Sequence, residues 1–248
     1  MFITATNLWE SAKENVGFLL VSAIIIAAIF FFAYQAENWM NRNKKENQKV
    51  DLSKRLAFIG MFSAISTVLM LFELPLWFAP GFYKLDFSEI PVLICSFAMG
   101  PVAGIFVELC KVLLKLVIKG TSTAFVGDFA NFVIGSTLIL PAAIIYQFRK
   151  TKKGAIIGVI VGTLVMTVFG SAFNAVYLLP KFAQLYGMSL DAIIQMGTAV
   201  NPSITNVSTL VLFAVVPMNL LKGVLDSIVV VLIYKYISRV MHRTFSNR

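Results

Sequence analysis

Seven apolar stretches, separated by short polar segments, organise this sequence. They cover residues 16–34, 56–72, 90–99, 101–118, 126–146, 154–179 and 208–237. Several reach the length of about 20 residues that a helix needs to cross the hydrocarbon core of a bilayer. The sequence lacks the alternation of apolar and polar positions that is typical of a membrane β-barrel. The pattern therefore predicts an all-α membrane protein in which 90–99 is a short helix.

The composition supports this fold class. Hydrophobic residues make up 58% of the 248 positions and charged residues only 13%, whereas soluble domains carry about 25% charged residues. The stretch 16–34 differs from a signal peptide, because Glu10 and Glu14 precede it and no A-x-A cleavage site follows it. We predict that it is a retained helix, and that the polar linker 35–55 separates it from the main body.

The net charge of +9 is concentrated beside the apolar stretches. Of the 21 Lys and Arg residues, 14 lie in three clusters, at 41–55, 149–153 and 235–248. A chain that begins outside the cell places all three clusters on the inner side, as the positive-inside rule expects. We therefore predict this topology and no nucleic-acid partner. The loop 73–89 and the segment 180–207 then lie outside.

Ionisable side chains within membrane helices are costly, so each of them needs a partner. Glu108, Lys111 and Lys115 follow an i, i+3, i+7 spacing, which places them on one helix face and predicts an ion pair within that helix. Lys222 and Asp226 are spaced i, i+4, which predicts a second local salt bridge.

Uncharged polar residues converge on the outer half of the predicted bundle. Asn131, Asn174 and Asn219 lie there together with Lys222. An amide offers a donor and an acceptor, which suits a flat heterocycle with several ring nitrogens and carbonyls. We expect these residues to contact a small molecule that enters from outside. Four neighbouring aromatic residues are expected to add apolar or stacking surface: Phe129, Phe132, Phe173 and Tyr177.

The outer loop before the short helix carries an unusual run of charges. It reads YKLDFSEIP, from Tyr83 to Pro91, and it stands above the outer polar residues in the predicted topology. We interpret the loop as the lid of the pocket. Asp86 and Glu89 are expected to shape and cap the loop rather than to perform chemistry.

Motifs of known enzyme classes are missing from the sequence. No P-loop, HExxH or GxSxG motif occurs, and the two cysteines and the single histidine form no metal-ligand pattern. We therefore expect no catalytic residues, no metal and no cofactor. Transport driven by ATP would need an ATPase from a partner.

Four segments, in order along the chain, resemble the riboflavin-specific S component of energy-coupling factor (ECF) transporters. The likeness runs from about residue 52 to residue 240. The segments are KLDFSEIPVLICSFAMGPVAGIFVELCK, VGDFANFVIGSTLILPAAIIYQF, FNAVYLLP and PMNLLKG.

The resemblance implies a six-transmembrane-helix S-component fold for 51–248. Residues 1–50 would form one additional N-terminal transmembrane helix and a basic cytoplasmic linker. The vitamin would bind on the extracellular side of the bacterial cytoplasmic membrane. The implied partners are the lipid bilayer, a transmembrane coupling subunit and two cytoplasmic ATPase subunits.

The resemblance also assigns roles to residues. Asn174 in FNAVYLLP and Lys222 in PMNLLKG would make polar contacts to the isoalloxazine ring. The lid would be supplied by Lys84, Leu85 and Asp86. The small residues that face the coupling subunit would be Ala57, Gly60 and Ala64. One departure concerns Gly127 and Asp128, because relatives often carry glutamate after this glycine.

Three other functions are compatible with the pattern. The protein could accept FMN as well as riboflavin, serve as the S component for a different vitamin, or work as an autonomous secondary transporter. The last alternative predicts inverted repeats, and no internal symmetry is evident in the sequence. A membrane enzyme is disfavoured because no metal or nucleophile constellation is recognisable.

Overall fold

The computed structural model describes residues 16–42, 52–121 and 125–245. Its helices are α1 Val16–Asn41, α2 Leu52–Leu71, α3 Glu89–Met99, α4 Pro101–Lys119, α5 Val126–Phe148, α6 Lys152–Phe173, α7 Leu179–Tyr186, α8 Leu190–Thr198, α9 Val207–Leu210 and α10 Val216–Phe245. π-Helical turns, Asn174–Leu178 and Val211–Val215, connect α6 to α7 and α9 to α10. The strands β1 Leu74–Pro75 and β2 Lys84–Leu85 pair antiparallel between α2 and α3.

The helical membrane fold predicted from the apolar stretches is confirmed. Among the described residues, five helical segments are long and apolar enough to cross a bilayer: Val16–Asn41, Leu52–Leu71, Val126–Phe148, Lys152–Gln184 and Val207–Tyr234. Helix α4 carries more charge, but its Glu108, Lys111 and Lys115 side chains are buried among neighbouring helices. Its 19 residues extend about 28 Å. Helix α3 has only 11 residues, as its short apolar stretch predicts.

The segment 180–207 contains more helix than a simple outer loop would. The helical path of α6 continues through the π-helical turn into α7, with Pro180 in the first turn of α7. Proline fits there because the π-helical turn before it already interrupts the regular i→i−4 hydrogen bonds, with the Leu179 N–H bonded to the Asn174 carbonyl oxygen. Helix α8 then folds back, and its Ile193 packs with Ile204 and Leu210 in a small second core. The segment therefore covers part of the outer end of the bundle.

Helices α5 and α6 approach each other closely because of glycine. A Cβ atom on Gly158 would lie 2.7 Å from the carbonyl oxygen of Ala142, and a Cβ on Gly162 would lie 3.1 Å from Leu138 Cδ1. These glycines allow the backbones of α5 and α6 to approach closely. By contrast, no described residue lies within 4 Å of a Cβ built on Gly60 of α2.

Helix α1 packs against the main body along α4 and α5. Aromatic side chains of α1 make three edge-to-face contacts with aromatic side chains of α4 and α5. The ring centroids are 5.6 Å apart for Phe18–Phe129, 4.7 Å for Phe30–Phe106 and 5.0 Å for Trp39–Phe148. Because Phe18 meets the start of α5 and Trp39 meets its end, the two helices run in the same direction. This is the relative direction that the predicted topology requires.

Glu37 joins α1 to two other helices at the end of the bundle that the topology places inside. Its carboxylate accepts a hydrogen bond from the Val102 N–H at 3.1 Å, in the first turn of α4, and one from Arg55 at 3.2 Å. The first contact satisfies an N–H group that has no partner within its own helix. Helix α1 is thus tied to the start of α2 and to the turn between α3 and α4.

We expect Gly158→Leu to lower the stability of the bundle, because the new side chain would meet the α5 backbone. The expected loss in the free energy of unfolding is about 1–3 kcal/mol. Thermal unfolding in detergent measures the change. Gly60→Leu is the matched control, since no atom of the described residues lies within 4 Å of a Cβ at Gly60. Equal melting temperatures for the two variants would contradict the close packing of α5 on α6.

Candidate functional site

The loop between α2 and α3 closes over the outer end of the helices. Leu74 pairs with Leu85 and Pro75 with Lys84 in its short hairpin. The hydroxyl of Tyr83 donates a hydrogen bond to Asn174 Oδ1 at 2.8 Å, in the π-helical turn after α6. This contact fastens the loop, which we call the lid (residues 72–88), to the wall of the bundle.

A cavity of about 780 Å³, including its open mouth, lies beneath the lid. Its walls come from the lid, α3, α5, α6, the turn after α6, α7 and α10. The lining residues combine many apolar side chains with a few polar ones: Phe82, Tyr83, Lys84, Glu89, Val126, Gly127, Ala130, Asn131, Ile134, Gly135, Met166, Asn174, Leu178, Leu179, Phe182, Met218, Asn219 and Lys222. This is the usual anatomy of a small-molecule site.

The structure brings together five of the residues that were predicted to bind a ligand. The members that line the cavity are Lys84, Asn131, Asn174, Asn219 and Lys222. Two others lie elsewhere. Leu85 is buried in the packing of the lid and is absent from the cavity lining. Asp86 accepts a hydrogen bond from the Ser88 N–H at 2.9 Å, so it shapes the loop as predicted, but it faces a neighbouring cavity.

The amides at the cavity wall differ in what they already bind. Asn174 is satisfied within the protein, because it accepts from Tyr83 and donates to the Gly170 carbonyl oxygen at 3.2 Å. The Nδ2 atom of Asn219 is buried and has no hydrogen-bond partner among the described residues. A buried donor without a partner costs free energy, so Asn219 is suited to receive an acceptor atom from a ligand.

A buried ion cluster forms the floor of the site. Glu89, at the start of α3, lies 2.9 Å from Lys222 Nζ of α10 and 3.0 Å from Lys111 Nζ of α4. Lys222 also contacts Asp86 of the lid at 3.2 Å. Lys111 contacts Glu108 at 2.8 Å, which confirms the ion pair expected within α4. Glu89 and Glu108 are almost completely buried.

The expected Lys222–Asp226 ion pair is wrong, and Lys115 forms an ion pair that its spacing does not predict. Lys222 turns toward the lid and α3 rather than toward Asp226, and both carboxylate oxygens of Asp226 are without hydrogen-bond partners among the described residues. Lys115 pairs with Asp128 of α5 at 2.6 Å instead of continuing the line of charges on α4. Each lysine therefore pairs with a carboxylate on another segment, although its own helix offers Asp226 one turn from Lys222 and Glu108 two turns from Lys115.

The aromatic residues expected to surround a ligand also have a different role. Phe129, Phe173 and Tyr177 pack on one another, with Phe173 and Tyr177 stacked at 5.3 Å, and they belong with Phe132 to the core. None of them appears in the lining of this cavity. Aromatic surface comes instead from Phe82 of the lid and Phe182 of α7, whose ring centroids are 5.0 Å apart.

Sequence reasoning missed Glu89 and Phe182 as residues of the site. The sequence assigns Glu89 only a part in shaping and capping the loop, although a carboxylate that opens an apolar helix is a signal for a buried ion pair. Phe182 lies in the segment 180–207, for which the apolar pattern predicts an outer position and no helix. Its position depends on the continuation of the α6 path into α7, which the apolar pattern does not reveal.

Glu73 anchors the lid by binding two lysines. Its Oε2 atom lies 2.7 Å from Lys84 Nζ of β2 and 2.8 Å from Lys119 Nζ at the end of α4. Burial raises the pKa of the Glu73 carboxyl, but the hydrogen bonds and charges of Lys119 and Lys84 outweigh it, so this pKa lies below its ordinary value. Burial also raises the pKa of the Tyr83 hydroxyl, which keeps it a donor to Asn174.

Comparison with known proteins gives consistent matches. The family model described as "ECF transporter, substrate-specific component" matches residues 54–234. The chain is 37% identical over 204 residues to "Riboflavin transporter RibU" of Staphylococcus aureus (strain TCH60), covering 82% of this chain and 100% of the relative. It is 33% identical over 183 residues to "Riboflavin transporter FmnP" of Bacillus subtilis (strain 168), covering 73% and 90% of the two chains.

A solved structure is similar as well. It is described as the S component of a bacterial ECF transporter, and it matches with a TM-score of 0.61 at 37% sequence identity. The match covers 77% of this chain and 99% of the other. Nearly the whole of that structure therefore corresponds to part of this chain, and the family match begins after α1.

We expect the Glu73 contacts to make the stability of the protein depend on pH. Because the pKa of Glu73 is lowered in the folded state, the stabilisation is complete above the unfolded-state value near 4.5 and is lost as pH falls through the folded-state pKa. Thermal unfolding in detergent, followed from about pH 6 to about pH 3.5, should show a smaller loss of stability for Glu73→Gln than for the unaltered protein. The exposed Asp191→Asn is the control. An unchanged pH profile in Glu73→Gln would contradict this assignment.

Proposed function

Because the chain belongs to the substrate-specific components of ECF transporters, we propose that it binds riboflavin from the outside of the bacterial cell membrane and delivers it inward with partner subunits. It is a multi-pass helical membrane protein of a transporter family. The relatives named above are riboflavin transporters. The cavity beneath the lid is the site that we assign to the vitamin.

The chemistry of the cavity supports a flavin ring as its occupant. An isoalloxazine ring is flat and apolar on its faces, and it carries carbonyl oxygens and ring nitrogens along one edge. Met166, Met218 and Phe182 supply apolar surface, while Asn219 and Asn131 supply amides at the wall. The buried, unpartnered Nδ2 atom of Asn219 is the observation that carries the proposal, since it needs an acceptor such as a ring carbonyl.

The residues predicted to bind the vitamin fall into two groups, those proposed to touch it and those that position other residues. Lys84, Asn131, Asn174, Asn219 and Lys222 lie at the cavity wall and are proposed to touch the vitamin. Leu85 packs the lid from behind, and Asp86 holds the ammonium group of Lys222. These two residues therefore act on the ligand through the lid and through Lys222.

The proposed transport cycle needs partners that hydrolyse ATP. The sequence carries no P-loop, so a transmembrane coupling subunit and two cytoplasmic ATPase subunits would supply the energy. Ala57, Gly60 and Ala64 lie on one face of α2 and are exposed, and a Cβ on Gly60 meets nothing within 4 Å. This face would allow a partner helix to approach closely.

We also propose that residues 1–50 and 51–248 form two functional parts. The family match starts at residue 54, after the described part of the first helix. Helix α1 packs on α4 and α5 through its aromatic residues. Within the described part of the chain, Ala57, Gly60 and Ala64 remain exposed beside α1, so this helix would not obstruct a coupling subunit there.

We expect Asn219→Ala to weaken riboflavin binding without loss of fold. The Nδ2 atom has no partner within the described protein, so its removal should break no internal hydrogen bond, but it should cost the ligand about 1–3 kcal/mol of binding free energy. Titration of the purified protein with riboflavin, followed by quenching of flavin fluorescence, measures the affinity.

Gln195→Ala serves as the control for this titration. It removes an exposed amide from α8, and Gln195 is absent from the cavity lining. Riboflavin affinity should be unchanged in this variant. Unaltered affinity in Asn219→Ala would contradict the assigned pocket. Absence of quenching in the unaltered protein at micromolar riboflavin would reject the function, and a different vitamin in the purified protein would replace riboflavin as the substrate.

Gly60→Leu should separate binding from transport. The added side chain projects from the exposed face of α2, and Gly60 is absent from the cavity lining, so riboflavin affinity should stay the same. Uptake of riboflavin into vesicles that contain the coupling subunit and the ATPases should fall, because the partner helix can no longer approach. Gly17→Leu on α1 is the matched control, since a Cβ there also meets open space. Full uptake in Gly60→Leu would contradict binding of the coupling subunit to this face of α2.

A further inference from the structure

Asp226 of α10 is a buried carboxyl group outside the proposed vitamin site. The residue is 0% exposed and is absent from the lining of the cavity beneath the lid. Neither of its carboxylate oxygens has a hydrogen-bond partner among the described residues. It lies within the segment Val207–Tyr234, which is long and apolar enough to cross the bilayer. An ionised carboxylate is very costly at such a position unless a cation contacts it, and a proton removes this cost.

The other buried and half-buried carboxylates around the lid and the cavity floor all contact lysines. Their oxygen-to-Nζ distances range from 2.6 to 3.2 Å. In the described part of the chain, the contacts join Glu73 to Lys84 and Lys119, Asp86 to Lys222, Glu89 to Lys111 and Lys222, Glu108 to Lys111, and Asp128 to Lys115. Five carboxylates are thus balanced by five lysines. An ionised Asp226 would add one negative charge that none of these lysines neutralises.

The surroundings of Asp226 favour a proton as the balancing charge. The charged groups that act on it come from the lid, α3, α4 and α10 itself: Asp86, Glu89, Lys111 and Lys222. Helix α6 also packs on α10, but its charged residues, Lys152 and Lys153, are exposed in its first turn. No group of three histidine, cysteine, aspartate or glutamate side chains among the described residues is placed to hold a metal ion.

Lys222 connects Asp226 to the lid and to the cavity. The two residues are one turn apart on α10, a spacing that permits an ion pair. In the structure, the ammonium group of Lys222 instead contacts Glu89 at 2.9 Å and Asp86 at 3.2 Å. A neutral Asp226 leaves these contacts undisturbed. An ionised Asp226 would attract the same ammonium group away from the lid.

We propose that Asp226 is a proton-binding site, and that its proton keeps Lys222 on Glu89 and the lid, so that loss of the proton weakens vitamin binding. The link to the vitamin rests on the proposed function, whereas the bound proton does not. Asp226 is a positioning residue, because it acts on the vitamin through Lys222. When Asp226 ionises, one proton passes to the solvent and Lys222 stays protonated. Vitamin binding is therefore complete while Asp226 holds its proton and is lost as pH rises through its ionisation.

Infrared spectroscopy tests the bound proton without any ligand. A protonated carboxyl group and a carboxylate absorb at different frequencies, so the difference spectrum between the unaltered protein and Asp226→Asn at about pH 7 identifies the form that was removed. We expect the loss of a protonated carboxyl band. Loss of carboxylate bands would overturn the proposal. The matched control is Asp191→Asn, which should lose carboxylate bands because Asp191 is exposed.

Riboflavin titrations at several pH values test the link to binding. Between about pH 7 and about pH 9, below the range in which lysine ordinarily ionises, the dissociation constant of the unaltered protein should rise about tenfold or more. Asp226→Asn cannot ionise, so its dissociation constant should change by less than about threefold over the same range. Quenching of flavin fluorescence measures both. If Asp226→Asn fails to fold, Asp226→Ala replaces it in both experiments, because it also removes the ionisable group.

The two experiments separate the possible failures. A dissociation constant that does not change with pH in the unaltered protein would overturn the link between proton and vitamin, and so would an equal rise in Asp226→Asn. Both results would leave the proposed function intact, since riboflavin still binds. Absence of riboflavin binding at every pH would overturn the proposed function together with the link, and the infrared spectra would still decide whether Asp226 holds a proton.

Discussion

The contact of Glu89 with two lysines is the interaction on which the site depends. The carboxylate opens α3, is 1% exposed, and reaches Lys111 of α4 and Lys222 of α10 within 3.0 Å. Charges removed from water are tolerated only in pairs, and the loss of one partner is strongly destabilising. The three helices cannot move apart without exposing or separating these charges. The cluster therefore fixes the depth of the cavity floor.

The same cluster also connects the bundle to the lid. Lys222 holds Asp86 in the loop, and Asp86 in turn binds the Ser88 N–H that leads into α3. On the other side, Tyr83 binds Asn174. The lid is thus attached at both walls by polar contacts, whereas its interior face is aromatic. Asn174 and Lys222 both line the cavity, so the contacts that hold the lid lie at the wall of the proposed binding site.

Local sequence spacing explains why some ion pairs were predicted well and others were not. Glu108 and Lys111 are neighbours on one helix face in any α-helix, and they do pair. Lys222 and Asp226 are neighbours in the same sense, yet the long lysine side chain reaches carboxylates of the lid and α3 instead. Spacing shows which partners are available within a helix. It carries no information about a carboxylate more than a hundred residues away in the chain.

The sequence by itself determined the helical membrane fold, the short third helix, the direction of α1 and the residues Asn131, Asn174, Asn219 and Lys222 that line the cavity. These features follow from apolar length, charge asymmetry and the cost of polar groups in a bilayer, all of which are local properties of the chain. Only the tertiary structure decided that Phe182 rather than Phe173 faces the cavity, that Glu89 is buried between two lysines, and that Lys115 pairs with Asp128 of α5. Each of these outcomes depends on which helices pack together, because a side chain's partners and its exposure are set by neighbours that are distant in sequence.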